Sequence, residues 1–363
     1  MIDWVTARLP CSNSGQICDG QVVKLNAEGS EVEWTTQTRL SLTGSHDSSI
    51  SIRSLTPQTI EISGNPAKWL QGHNLFGSND LRLLMWVFFN RLIEFYDIGL
   101  NPTIQDLERI KEGRYTVSRV DINETWLLKN RADVMAWIRS AGEKMSMPYR
   151  GKGVFSGDTL YWGKGSKYFY LKCYSKGDEI NSKKSNFPDA LKIPQMLEYA
   201  DRALRLELVL CSKALREWHI NMPCNWLPDM PKMLLLTHVR GLEMSNQFML
   251  SDDVLDTLPT KLRAYYKLWL MGEDLRIDLP KRTYYRIRKE LKEYDIDIAM
   301  VRDTEKVTNN VVPLIKVLEA QPVGIPYWAF EQGLVVAPAH EMPMQASNDE
   351  TAASTDRVPS IAL

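Results

Sequence analysis

Residues 48–63 read SSISIRSLTPQTIEIS, two runs in which apolar and polar side chains alternate on either side of a short turn. Such alternation is typical of β-strands with one buried face. Similar runs, separated by Gly, Ser, Asn and Asp clusters, fill residues 2–62 and predict an antiparallel sheet. The segment at 79–100, NDLRLLMWVFFNRLIEFYDIGL, has helical apolar spacing, with Asn79 as its expected N-cap and Gly99 as its stop. We expect this helix to pack on the sheet.

Further helices and strands follow up to residue 210. The predicted helices lie at 103–112, 132–144 and 194–200, and the predicted strands at 115–128, 162–176 and 203–210. Trp137 is expected to face the core. Together these elements predict an α+β protein in which helices flank a central antiparallel sheet.

The character of the chain changes after Asn221, where the Pro-rich stretch PCNWLPDMP begins a region with helical periodicity. Two predicted helices at 260–271 and 281–294 are separated by GEDLRIDLP, and the second is strongly basic. They fit a helix-turn-helix whose basic helix enters the major groove. A solvated basic helix in a bundle is the alternative. The predicted divisions are 1–220, a helical DNA-binding region at 221–337 and a disordered tail at 338–363.

The composition is that of an ordinary soluble protein, with 44% hydrophobic and 25% charged residues among 363. A net charge of −1 gives no overall attraction to nucleic acid, so any binding of polyanions depends on local basic patches. The five cysteines form no C-x-x-C pair and predict free thiols in a reducing cytoplasm. Neither a signal peptide nor a membrane-spanning run is expected.

The stretch at 162–179, WGKGSKYFYLKCYSKGDE, interleaves lysines with aromatic rings and ends in Tyr-x-Lys-x-x-Glu. A phenol has a pKa of about 10, so a nucleophilic tyrosine needs a cation close to it. Lys176 would share a sheet face with Tyr174 if the segment is extended. Tyr170 also satisfies Tyr-x-Lys, and an amphipathic hairpin with no catalytic role is the alternative interpretation.

Several separated segments together resemble the gene II replication initiators of filamentous phages and related plasmid replication proteins. They are the opening MID…RLP, NPAKWLQGHNLFGSNDL at 65–81, SRVDI at 118–122, NNVVPL at 309–314, and the spacing of Trp162, Tyr174, Lys176 and Glu179. The resemblance spans residues 1 to about 330. It implies a Rep-like, HUH-type nuclease domain, although the chain lacks the His-hydrophobic-His pair of HUH nucleases.

The resemblance implies a rolling-circle initiator that nicks and recloses one strand of double-stranded origin DNA through a 5′-phosphotyrosine. Tyr174 is the expected nucleophile and Lys176 its assistant, and the spacing from Trp162 and to Glu179 favours Tyr174 over Tyr170. The displaced single strand and the host replication machinery are the implied partners, in the cytoplasm of a bacterial host, with the protein acting as a monomer or a homodimer. A non-catalytic DNA-binding regulator and a module that binds single strands or RNA are the alternatives.

This chemistry calls for Mg²⁺ or Mn²⁺ bound by oxygen ligands and an occasional imidazole. The candidate ligands are His73, Asp121 and Glu207. The alternatives are two salt bridges, Asp121 with Arg119 and Glu207 with Arg205, and a structural role for His73 in its turn.

Basic residues near the predicted nucleophile and in the basic helix are the candidate DNA contacts, because their charges would neutralise phosphates. They are Lys164, Lys167, Lys172, Arg282, Arg286, Arg288 and Lys289.

Overall fold

The computed structural model describes residues 1–13, 17, 20–44, 46–182, 185, 187–244, 258–270, 275–294, 298, 317–318 and 321–336. The chain forms two compact units. The first comprises 1–243 and 318–350, and the second comprises 244–317 and 351–363.

The strands are β1 (Ile2–Pro10), β2 (Gln21–Leu25), β3 (Val32–Gln37), β4 (Leu40–Thr43), β5 (Ser49–Thr56), β6 (Thr59–Gly64), β7 (Thr116–Leu127), β8 (Met145–Met147), β9 (Gly151–Lys152), β10 (Val154–Ser156), β11 (Thr159–Trp162), β12 (Phe169–Ser175), β13 (Ala203–Cys211) and β14 (Glu243–Met244). Nine of them form one sheet in the order β10-β11-β12-β13-β7-β1-β6-β5-β4. Every neighbouring pair is antiparallel. The predicted α+β class with a central antiparallel sheet is confirmed.

The helices are α1 (Pro66–Gln71), α2 (Leu81–Phe95), α3 (Ile104–Lys111), α4 (Arg131–Lys144), α5 (Lys176–Asn181), α6 (Pro194–Arg202), α7 (Ser212–Glu217), α8 (Met230–Arg240), α9 (Thr260–Leu270), α10 (Leu275–Asp278), α11 (Lys281–Lys292) and α12 (Tyr327–Glu331). Short 3-10 turns occupy Asp189–Leu191 and Pro223–Asn225. Trp137 of α4 is buried, as predicted. No described helix is both long and apolar enough to cross a membrane.

Two chemically different faces result from the alternation along the central strands. Residues paired across strands point to the same face. On one face the pairs are apolar, as in Val5 with Val120 of β7 and Leu208 with Ile122. On the other face, Thr6 pairs with Arg119. The polar face also carries side chains of β12 and β13, which form the candidate site below.

The long helix α2 differs from its prediction at both ends. Its N-cap is Asp80, whose carboxylate accepts from the Leu83 N–H, rather than Asn79. The helix ends at Phe95, several residues before Gly99, because Tyr96 takes an extended conformation. The predicted end was too late because the apolar spacing continues past the last hydrogen-bonded turn.

The division between the units also differs from the predicted boundary at 220. Residues after it still pack on the first unit: the Trp226 indole N–H donates to the Ile220 carbonyl at 2.7 Å, and α8 packs against β7. The segment at 321–336 returns to the sheet, where the Val323 N–H donates to the Thr125 carbonyl. The proline-rich stretch therefore belongs to the first unit. The predicted tail at 338–363 lies outside the described residues.

The second unit contains the two predicted helices, α9 and α11, and the short α10 between them. Apolar side chains of all three pack together with Tyr284 of α11, which is buried, while its neighbour Tyr285 is exposed. A small helical core thus holds α11 in place.

Asp80→Ala should lower the free energy of unfolding by about 1 kcal/mol, because the Leu83 N–H loses its capping acceptor. Thermal unfolding of the variant and of Asp80→Ser, which keeps a cap, measures this effect. Asp97→Ala removes the same charge from an exposed position after the helix and serves as the control. Equal midpoints for Asp80→Ala and Asp97→Ala would contradict the capping role.

Candidate active site on the polar face of the sheet

Tyr174 lies on β12, opposite Arg205 of β13. Its hydroxyl donates to Oε2 of Glu207 at 3.3 Å, and its ring is partly buried. Burial raises the pKa of Tyr174 well above its usual value, and the negative charges of Glu179 and Glu207 act in the same direction. The phenol is therefore protonated at neutral pH and has a carboxylate within reach as a proton acceptor.

Glu207 is only 3% exposed and divides its two oxygens between different partners. Oε2 accepts from Tyr174, while Oε1 accepts from the ammonium of Lys172, directly opposite on β12. Burial raises the pKa of Glu207 to about 7; Lys172 opposes this rise and the nearby Asp121 adds to it. A carboxyl with such a pKa can accept a proton from the tyrosine.

Asp121 of β7 is the second carboxylate of the site and is 1% exposed. Arg119 binds it with two hydrogen bonds, at 2.7 and 2.6 Å, and Nζ of Lys172 lies 3.5 Å from it. The alternative Arg119–Asp121 salt bridge is thus present. The alternative pair of Glu207 with Arg205 is not formed, because Lys172 occupies that role.

Arg205 is fully buried and ties a loop to the sheet. Nη1 donates to the Asn74 carbonyl and to Oδ1 of Asn123, both at 2.9 Å, and Nη2 donates to the Leu75 carbonyl at 2.8 Å. The loop belongs to the LQGHN segment singled out in the sequence. Arg205 therefore positions that segment beside Glu207.

Lys176 does not extend the strand beyond Tyr174, contrary to the expectation that both would share a face. It is the first residue of α5, because the Ser175 hydroxyl caps this helix by accepting from the Asp178 N–H. Its ammonium donates to Oδ1 of Asn74 at 2.6 Å and to Oε2 of Glu179 at 2.5 Å. With 1% of its side chain exposed, Lys176 acts in this structure on neighbouring side chains rather than on solvent-facing phosphate.

Asp3 is a third carboxylate near the site that the sequence analysis did not single out as a site residue. Its Oδ1 accepts from Asn74 at 3.0 Å and from Asn65. Burial raises the pKa of Asp3, and the charge of Glu207 adds to the rise. The signal available in the sequence was its place in the opening MID motif.

His73 takes the structural role offered as its alternative. Its Nδ1 accepts from the Leu75 N–H at 3.2 Å, so Nε2 carries the proton and donates to the Leu334 carbonyl at 2.7 Å. Burial lowers its pKa to about 4. Neither ring nitrogen is left for a metal. Within the part of the chain that the structure describes, no three His, Cys, Asp or Glu side chains are grouped as a metal site.

Tyr170 lies on the same face of β12 as Tyr174 and is partly buried. Its ring centroid is 6.4 Å from that of Tyr161 on β11. Burial raises the pKa of Tyr170, while Arg119 and Lys172 act in the opposite direction. Tyr170 thus remains a competitor for the nucleophile, with cations rather than a carboxylate as its main charged neighbours.

The candidate DNA-contacting side chains differ in exposure and in charge pairing. Lys164, with its ammonium 4.7 Å from the Tyr161 ring centroid, and Lys167 are exposed. Lys172 is held between two carboxylates, so its charge is already compensated. In the second unit, the exposed basic side chains of α11 are Arg282, Arg286 and Lys289, whereas Arg288 is partly buried.

Comparison with known proteins shows which family the chain belongs to. Residues 1–229 match the family model for the N-terminal part of the phage replication-associated gene II protein, and residues 249–335 match the model for its C-terminal part. The chain belongs to the family of replication-associated gene II proteins. The replication-associated gene II protein of Enterobacteria phage I2-2 is 38% identical over 335 residues, which cover 90% of this chain and 95% of that protein. The protein of the same name from Enterobacteria phage M13 is 28% identical over 189 residues, 46% of this chain and 42% of that protein.

Arg205→Met should destabilise this gene II family member by about 3 kcal/mol or more, because two buried oxygen atoms and one partly buried oxygen atom lose their donor. Arg202→Met is the matched control, since Arg202 is 27% exposed and makes one hydrogen bond, from Nε to the Leu128 carbonyl, and one long ion pair, 3.9 Å from the exposed Glu198. Thermal unfolding followed by circular dichroism compares the two variants. Similar losses in both would show that Arg205 does not hold the loop.

The neutral state of His73 should make the stability of the first unit depend on pH. Its pKa is about 4 in the folded protein and about 6.5 when unfolded, so the unfolded chain binds the proton more readily. The stabilisation is fully present above pH about 6.5 and falls by about 3 kcal/mol as the pH drops towards 4. Unfolding midpoints of wild type and His73→Gln should therefore converge on acidification.

The exposed His219 provides the control for this pH series. His219→Gln should follow the wild-type curve throughout. Parallel curves for wild type and His73→Gln would contradict a buried neutral imidazole.

Proposed function

We propose that the protein is a rolling-circle replication initiator that nicks one strand of origin DNA with Tyr174 as the nucleophile. The observation that carries the proposal is the hydrogen bond from the Tyr174 hydroxyl to the buried Glu207, in a chain of the gene II family. A phenol with a raised pKa is a poor nucleophile by itself, so a carboxylate in contact with it supports this assignment over Tyr170.

In the proposed reaction, Glu207 takes the phenolic proton and the Tyr174 oxygen attacks the scissile phosphorus. A new Oη–P bond forms as the P–O3′ bond breaks, and the departing O3′ takes up a proton from water. The products are a 5′-phosphotyrosine and a free 3′-hydroxyl. In the reverse direction a 3′-hydroxyl attacks the phosphotyrosine, which recloses a strand without an external energy source. Glu207 then returns the proton to Tyr174.

Asp121 and Glu207 are the residues that would hold a divalent cation. Their carboxylate oxygens are the hard donors that Mg²⁺ or Mn²⁺ prefers, and Mg²⁺ commonly uses one or two carboxylates together with substrate phosphate. Such an ion would neutralise charge on the phosphate during the transfer. Lys172 compensates both carboxylates in this structure, so its ammonium would have to leave them for an ion to be held there.

Lys176 and Asn74 are positioning residues in this proposal. The ammonium of Lys176 holds Asn74, and Asn74 in turn holds Asp3. This chain of hydrogen bonds links the end of the nucleophile strand to the first strand. It fixes the loop next to Tyr174 without touching DNA.

Double-stranded origin DNA and its displaced strand are the proposed substrates, in the cytoplasm of a bacterial host with the host replication machinery. The exposed Lys164 and Lys167 would contact the strand near the nucleophile. The basic side chains of α11, including Arg288, would bind the duplex. The burial of the other face of α11 in its own helical core leaves its exposed face for this purpose.

Tyr174→Phe should abolish nicking of a supercoiled plasmid that carries the replicon's own origin, because it removes the attacking oxygen. Tyr170→Phe serves as the matched control on the same strand face and should keep nicking. Agarose electrophoresis resolves supercoiled, nicked and relaxed circles, and each reaction is run with Mg²⁺ and with EDTA. The wild type should nick only with Mg²⁺.

Denaturing electrophoresis of the nicked product should show protein covalently attached to DNA only when Tyr174 is present. Nicking by Tyr174→Phe that disappears in Tyr170→Phe would transfer the role to Tyr170. Intact plasmid in every reaction, despite origin binding in a gel shift, would identify a non-catalytic regulator instead.

A further inference from the structure

A second charged cluster lies on the polar face, on β1, β5, β6 and the residue before β4. Its centre is Glu61 of β6, which is 5% exposed and bound by three arginines. Arg53 donates to Oε1 through Nε at 2.9 Å and through a second nitrogen at 2.6 Å. Arg39 donates to Oε1 at 2.9 Å, and Nε of Arg8 lies 3.3 Å from Oε2.

The arginines supply more charge than Glu61 requires. Arg53 is the least exposed, at 19% of its side chain, and its two bonds are sufficient to pair the carboxylate. Arg8 and Arg39 are 56% and 40% exposed, so parts of both guanidinium groups face solvent. Three cations around one anion leave an excess of two positive charges, in a protein whose net charge is −1. Glu61 orients the cluster without neutralising it.

The cluster shares its sheet face with the candidate active site. Arg8 pairs with Glu61 and follows Thr6 by two residues, and Thr6 pairs with Arg119 of the site. Arg8 also lies opposite Thr116, which precedes Asp121 by five residues. Strand spacings of about 4.8 Å and residue spacings of about 3.3 Å then place Glu61 about 19 Å from Asp121.

The surface between the two clusters is continuous. The guanidinium of Arg119 lies over the Trp4 ring at 5.3 Å, and the Trp4 indole N–H donates to the Ser63 hydroxyl at 3.2 Å. Ser63 is two residues from Glu61 on β6 and shares its face. A strand of DNA could therefore pass from one cluster to the other over a single sheet surface.

We propose that Arg8, Arg39 and Arg53 form a binding site for the phosphodiester backbone of the DNA strand that crosses this face. Guanidinium groups bind phosphate oxygens with paired hydrogen bonds, and their fixed fork suits a cluster held in place by one carboxylate. The placement of the strand rests on the proposed function. The three arginines belong to the first unit, and none of them is among the candidate DNA contacts singled out in the sequence.

The double variant Arg8→Gln/Arg39→Gln tests the site and leaves the buried Arg53–Glu61 pair in place. Binding to a fluorescent single-stranded DNA of mixed sequence, roughly 30 nucleotides long, is followed by anisotropy in EDTA at several salt concentrations. Each lost phosphate contact on a single strand reduces the slope of log K against log salt by about 0.7, so the slope should become shallower by about 1.4.

Arg91→Gln/Arg114→Gln is the matched control. These arginines are 53% and 52% exposed, and each pairs with one glutamate, Glu94 or Glu112, outside the polar face. The control should bind with the wild-type slope. Arg8→Lys/Arg39→Lys, which keeps the charge, should restore most of the slope, and thermal midpoints confirm that all variants are folded.

The outcomes separate this inference from the proposed nicking activity, because the binding assay contains no active metal. A wild-type slope in the folded double variant would overturn the phosphate site, whatever the nicking assay shows. A shallower slope in the double variant alone would support the site, even if the wild type fails to nick origin plasmid.

Discussion

The buried guanidinium of Arg205 is the interaction on which the candidate site depends. A charged group with no exposed surface is costly unless hydrogen bonds compensate it, and Arg205 donates to two loop carbonyls and the Asn123 side chain. The Asn74 and Leu75 carbonyls have no strand partner, so these hydrogen bonds fix the LQGHN loop against the sheet. The side chain of Asn74 can then connect Lys176 with Asp3. One residue of the central strand thus converts a loop into part of a rigid framework.

Each carboxylate of the site is paired with a cation, Asp121 with Arg119 and Glu207 with Lys172. The two cations differ in the number of contacts that fix their positions. Arg119 donates two hydrogen bonds to Asp121, and its guanidinium lies over the Trp4 ring. Several contacts therefore determine the position of Arg119. Lys172 reaches Glu207 with a flexible side chain. If the two carboxylates held an ion, Lys172 would be the residue to move away, whereas Arg119 would stay with Asp121. The buried Glu207 would then have a cation beside it whenever it is ionised, which limits the cost of that form.

The sequence predicted most strands because alternation is a local property. Each run predicted within residues 2–62 contains an observed strand, but one run covers both β3 and β4, and the strand predicted at 162–176 is divided between β11 and β12. It misjudged Lys176 although a signal was present: Ser175-x-x-Asp178 is a helix-capping pattern, and the structure uses it to end β12 and begin α5. The pairing of Lys172 with Glu207 was not predictable. It depends on the register of two strands, and nothing in either strand alone specifies that register.

Asp3 shows most directly why local alternation is insufficient at this site. Ile2 pairs with Ile122 and Val5 with Val120, so three residues of β1 span the distance that two residues of β7 cover. This bulge lets Ile2 and Val5 both face the apolar core, although a regular strand would place them on opposite faces. The bulge therefore points the Asp3 side chain towards Asn74 and Asn65, and not into the core with Val5. A regular β1 would have buried its carboxylate among apolar side chains, so the bulge is what allows an acidic residue at this position to contribute to the site.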